Sequence, residues 1–140
     1  MFKVSLSGAD ATRQFGYDLG SKLVPSDLVC LSGPLGAGKT TFAQGLAKAL
    51  GIADPISSPT FVLMNEYEGK IPLLHLDAYR MEDFEWDELR DAGFEEFLGR
   101  TDAVRLIEWP EMVERYLPAP RFWVRLEIQD EERLASYEGE

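Results

Sequence analysis

Apolar positions recur along this chain at two spacings, and the switch between them marks its elements. Ala11, Phe15, Leu19 and Leu23 repeat every four residues, the stripe of an amphipathic helix that Pro25 closes. Ser7 and Asp10 have the spacing of a capping box at its start. Leu28-Val29-Cys30-Leu31 is a continuous apolar run, as expected of a strand covered on both faces. Phe42, Leu46 and Leu50 predict a helix over Thr41–Leu50, and Gly51 stands where a C-terminal cap is wanted. Phe61–Tyr67 and Ile71–Leu76 have strand composition and flank Glu68-Gly69-Lys70, a hairpin turn. Short helices are predicted at Asp87–Ala92 and Glu95–Leu98, broken at Gly93, and another at Pro110–Tyr116. Val104–Ile107 is an apolar strand that ends in Glu108. Phe122, Val124, Leu126 and Ile128 alternate with polar or amphipathic neighbours, the period of a half-buried strand. Leu134–Tyr137 is a last short strand or a fraying tail.

The junction between the first apolar run and the following helix carries the chemistry. Gly33-Pro34-Leu35-Gly36-Ala37-Gly38-Lys39-Thr40 fits the Walker A pattern G-x-x-x-x-G-K-[ST], and strand, glycine-rich turn and helix come in the order it requires. Backbone N–H groups of such a turn converge on phosphate oxygens, and the helix N-terminus adds partial positive charge. Leu35, Gly36, Ala37, Gly38, Lys39, Thr40 and Thr41 are the expected phosphate-binding residues. Lys39 would reach the β- and γ-phosphates of ATP, and the Thr40 hydroxyl would ligate Mg²⁺. The expected fold is therefore α/β, a P-loop NTPase-like sandwich with a central mixed β-sheet flanked by helices. Residues 1–140 form one domain.

Hydrolysis needs an acid near the metal and a group that places water. Asp77 and Glu108 each end an apolar strand, and ligands of open α/β sheets lie beyond the carboxyl ends of strands. Either is a candidate catalytic or metal-holding carboxylate, alongside Lys39. Ser58-Pro59-Thr60 is a candidate switch-like loop, and Arg80 a candidate phosphate or carboxylate partner. His75, the single histidine, reads first as a hydrogen-bonded structural residue and second as a base.

Charge narrows the partners. With 14 basic and 25 acidic residues the net charge is -11, which repels a nucleic-acid backbone and disfavours direct DNA or RNA binding. The run from Glu82 to Glu96 is dense in carboxylates with Phe84 and Trp86 among them, equally a protein-docking surface or a solvated helix face. The lone Cys30 lies in an apolar run, and no segment has the length of a membrane span or the pattern of a signal peptide, so a cytoplasmic protein is expected.

Taken together, Gly33–Thr41, Ser58-Pro-Thr-Phe61, His75-Leu-Asp-Ala-Tyr-Arg80, Glu88–Leu98 and Glu108-Trp109-Pro110 resemble, in order and spacing, the bacterial TsaE (YjeE) family. The resemblance implies a small Mg²⁺-dependent ATPase needed for threonylcarbamoyladenosine modification of tRNA. It would act on a TsaB–TsaD complex and meet tRNA only through those partners. It also implies that Thr40 and Glu108 hold Mg²⁺, that Asp77 places the attacking water, and that Trp109 flanks the site. Ala9–Thr12 and Arg133 would touch the nucleotide. Pro34 stands where many members have Asp. The alternatives are a small-molecule P-loop kinase and a nucleotide-regulated binding module with negligible hydrolysis.

Overall fold

The computed structural model describes residues 2–56 and 64–139. Seven strands form one sheet: β1 (Phe2–Leu6), β2 (Leu28–Ser32), β3 (Met64–Tyr67), β4 (Leu73–Asp77), β5 (Val104–Glu108), β6 (Phe122–Gln129) and β7 (Glu132–Gly139). Four helices cover it: α1 (Ala9–Gly20), α2 (Lys39–Ala49), α3 (Trp86–Asp91) and α4 (Phe94–Gly99). The strand order is β1-β7-β6-β2-β5-β4-β3. The four central strands are parallel, while β3, β7 and β1 pair antiparallel with their neighbours. The sheet is thus mixed, as the hairpin required.

The continuous apolar runs follow from coverage on both faces. Val29, Leu31, Leu73, Val104 and Leu106 point to the layer of α1 and α2. Leu28, Cys30, Leu76 and Ile107 alternate to the other face, onto Met81, Leu89, Phe94 and Phe97. Cys30 is fully buried, and burial pushes its thiol up to about 12, with Glu111 and Glu114 adding to the shift against Arg125. It is a core residue without nucleophilic character.

Helices α1 and α2 cross very closely. A Cβ built on Gly45 would fall on the Arg13 carbonyl, and one on Gly16 on the Phe42 carbonyl. Both helices lie on the same sheet face and are held by close backbone contact.

Several expectations need correction. No capping box forms at Ser7–Asp10: Gly8 is the N-cap with φ 98° and ψ 175°, and no side chain caps the helix. A glycine in that backbone conformation turns the chain before Asp10 can reach back. A capping interaction does occur at α3, where the Glu85 N–H donates to Glu88 Oε1 at 3.2 Å. Strand β1 was not expected, although Phe2, Val4 and Leu6 alternate. The tail does not fray: β7 pairs with β1 and β6 on its two sides, which satisfies its backbone over eight residues. Pro110–Tyr116 is two 3₁₀ turns, Pro110–Met112 and Glu114–Tyr116. Helix α2 begins at Lys39, two residues before the predicted start. Ser58-Pro59-Thr60 and the start of the predicted Phe61–Tyr67 strand lie outside the described residues.

Candidate functional site

Three strand ends meet at one edge of the sheet. Because β2, β4 and β5 are parallel neighbours, their carboxyl ends deliver the glycine-rich turn, Asp77 and Glu108 to the same place. Asp77 and Glu108 are register partners, so their side chains project side by side from one face. That face also carries helix α2, whose first residue is Lys39.

Conformation and space set the glycines of the turn. Gly38 sits at φ 102°, and a Cβ there would press to 3.3 Å from the Thr12 methyl group, so glycine is dictated by both conformation and space. Ala37 is fully buried, whereas Leu35 is 88 % exposed at the tip. A Cβ at Gly36 would meet nothing within 4 Å, so the turn opens outward as a cradle. Thr40 and Thr41 follow, half-buried, in the first turn of α2. The Arg133 Nε–H donates to the Gly36 carbonyl at 3.1 Å, tying the β7 strand to the turn. Thr12 and Arg133 thus stand beside the turn.

Lys39 is buried to 8 % exposure, with Nζ 4.0 Å from Glu108 Oε1 and 4.1 Å from the centre of the Trp109 ring. Burial lowers its pKa from the ordinary lysine value, and the charges of Glu108, Asp77 and Glu111 partly restore it. Burial likewise raises the Asp77 carboxyl, and Glu108 adds to the rise. The Tyr79 N–H, which donates to Asp77 Oδ1 at 2.9 Å, opposes it, as does Lys39. Glu108 is buried and its Oε2 lies 2.6 Å from His75 Nε2, itself fully buried. Trp109 holds a left-handed backbone (φ 57°, ψ 47°), and its ring stands edge-on to Tyr79 at 5.0 Å. Strain of this kind is retained where the surroundings dictate it.

The sequence-predicted residues Lys39, Asp77 and Glu108 therefore converge, and Leu35–Thr41 form the cradle. Arg80 is exposed. Phe84 and Trp86 pack inward, Trp86 against Phe94 and Tyr116, so the Glu82–Glu96 surface presents its acids without an aromatic patch. One network was missed. Ser32 Oγ donates to Glu111 Oε2 at 2.8 Å and accepts from the Trp123 indole at 3.1 Å, joining the entrance of the glycine-rich turn to the turn after Glu108. Its only trace in the sequence is Glu111, three residues beyond Glu108.

Among the described residues no cluster of three or more His, Cys, Asp or Glu side chains could enclose a metal ion. The donor set instead suits Mg²⁺, which takes one or two protein oxygens and completes its shell with phosphate and water. Thr40 and Glu108 are the candidates for that role, beside the glycine-rich turn.

Fold and site together define an α/β protein with a glycine-rich phosphate-type turn and paired strand-end carboxylates. Residues 6–135 match the family model of the threonylcarbamoyl adenosine biosynthesis protein TsaE. A Nostoc tRNA threonylcarbamoyladenosine biosynthesis protein TsaE is 43% identical over 94% of this chain and 81% of its own length. The Treponema pallidum protein of that name is 40% identical over 89% of this chain and 90% of its own. The crystal structure of Bacillus subtilis YdiB superposes with a TM-score of 0.74 at 31% identity, covering 97% of this chain and 83% of that one. The chain belongs to the TsaE family of tRNA threonylcarbamoyladenosine biosynthesis proteins. No helix among the described residues is long and apolar enough to cross a membrane.

Proposed function

We propose that the protein is a Mg²⁺-dependent ATPase, slow alone, whose ATP binding and hydrolysis drive a TsaB–TsaD complex in tRNA threonylcarbamoyladenosine biosynthesis. The observation that carries this reading is the convergence of a buried Lys39, Asp77 and Glu108 at the mouth of the glycine-rich cradle. A buried ammonium held 4.0 Å short of its carboxylate is costly unless it serves a ligand. The cradle N–H groups and the α2 N-terminus bind and orient the phosphates, with Lys39 neutralising their charge. Thr40 and Glu108 hold Mg²⁺, which supplies, when bound, the charge that polarises the terminal phosphate.

Asp77 orients water and accepts its proton. Burial moves its carboxyl toward the working pH of a base. Its Oδ1 is anchored by Tyr79 N–H, which leaves Oδ2 for water. Partner dependence is supported by the acidic surface: with a net charge of -11 the protein suits a basic protein surface and leaves tRNA to its partners. A cytoplasmic setting accords with a buried, unreactive Cys30 thiol.

The test is Lys39→Ala in calorimetric titrations with ATP and ADP, beside turnover with and without TsaB–TsaD. Binding should be lost with the melting profile retained, and the partners should stimulate the wild type. Wild-type affinity in the variant, or a rate indifferent to the partners, refutes the corresponding half of the reading.

A further inference from the structure

We propose that His75 is the positioning residue of the site. It holds Glu108 Oε2 so that Oε1 is the oxygen presented to Lys39 and to a nucleotide-bound magnesium ion. The inference rests on the Mg²⁺–ATP reading of the site and adds a function for a residue that the sequence left as structural.

The register explains how the contact arises. Asp77 pairs with Glu108 and His75 with Leu106 across the parallel β4–β5 ladder. His75 is therefore two residues back from Asp77 on the same sheet face, diagonal to Glu108. The two side chains meet at 2.6 Å with both residues buried. An ionised carboxylate can only accept, so His75 Nε2 carries the hydrogen. Nδ1 then carries none, in agreement with its having no hydrogen-bond partner among the described residues. A buried N–H without an acceptor would cost more than an unused lone pair, so this tautomer is the economical one.

The geometry divides the carboxylate between two tasks. Oε2 is engaged by the imidazole, whereas Oε1 faces the Lys39 ammonium from 4.0 Å, beyond hydrogen-bond reach. A glutamate has three rotatable bonds, and one firm bond at Oε2 removes most of that freedom before any ligand arrives. Partners that orient a metal-ligating side chain in this way typically carry ten- to hundred-fold in metal affinity.

The experiment measures ADP affinity by calorimetry with MgCl₂ and with EDTA, so that turnover plays no part. In the wild type Mg²⁺ should strengthen ADP binding. If it does not, the Mg²⁺–nucleotide reading fails and this inference falls with it. His75→Leu, similar in volume but without a donor, should lose about ten-fold of the Mg²⁺-dependent gain while metal-free ADP affinity stays within about three-fold. His75→Gln carries an N–H at similar reach and should keep the gain. Should the leucine variant fail to fold, His75→Asn, whose amide is too short, takes its place against His75→Gln. In a Glu108→Ala background the same substitutions should change nothing further. A full Mg²⁺ gain without the donor, equal losses in the glutamine and donor-less variants, or an additional loss in the Glu108→Ala background overturns the positioning role alone.

Discussion

Replacing Gly45 by alanine sets two ordinary effects of opposite sign against each other at the α1–α2 crossing. In an exposed helix interior the change is favourable by about 1 kcal/mol, because alanine is the better helix former. Here the new methyl would fall on the Arg13 carbonyl and stand 3.0 Å from the Tyr17 nitrogen, both backbone atoms of α1. Backbone cannot rotate away as a side chain can, so relief requires α1 to move off α2. Overpacking of this kind costs about 1–3 kcal/mol, and the rigid obstacle places Gly45 at the upper end. The net expectation is a loss of about 1–2 kcal/mol, or about 3–7 °C in melting temperature for a chain of this size. Because α1 also presents Thr12 to the Gly38 turn, nucleotide affinity should fall with stability. Thermal and urea denaturation with calorimetric ADP titration measure both quantities. A melting temperature equal to or above wild type would show that helix propensity dominates and that the close crossing is not as described. Gly16→Ala, whose methyl would meet the Phe42 carbonyl, repeats the test from the other helix.

Three further expectations follow from the site and its supports. Burial holds the folded Asp77 carboxyl above its unfolded value. Its contribution to stability is then fully present below the ordinary carboxylate range and is lost as pH rises through the raised value. Asp77→Asn should therefore raise the ligand-free melting temperature at neutral pH and flatten its decline from acid, while abolishing hydrolysis; an unaltered profile refutes the burial argument. Arg105, buried and donating at 2.6 Å to both the Leu98 and Ser26 carbonyls, should cost about 2–3 kcal/mol when changed to Met, read by urea denaturation. A cost near zero would mean that relief of its buried, unpartnered Nε outweighs the two bonds. Chelation with EDTA should stop turnover yet leave the ligand-free melting temperature unchanged, since the described residues enclose no metal on their own; a chelator-induced unfolding would contradict this.

The hydrophobic pattern made the sheet's centre legible, for a physical reason. Strands β2, β4 and β5 are covered on both faces and are therefore mostly apolar, β4 and β5 being interrupted at His75 and Arg105 before their terminal acids. The glycine-rich turn was equally legible, since its φ values admit few residues other than glycine. Edge strand β1 was not, because its exposed Phe2 and Lys3 leave too little of an alternating pattern to stand out. Strand β7 is held by two partners far away in sequence or across a hairpin, and local composition does not report pairing. Asp77 and Glu108 were found from their places at strand ends. The partnership of His75 with Glu108 was not, because it depends on a register that only the assembled ladder fixes.

Arg133 reaches the Gly36 carbonyl from the strand that follows every other described element, and that strand is also the sole sheet neighbour of β1. A chain emerging from the ribosome therefore makes its glycine-rich turn 97 residues before the brace. Until β7 arrives, β1 has no ladder to join and the cradle lacks its outer tether. Chains in which β7 is not yet made should therefore hold nucleotide poorly.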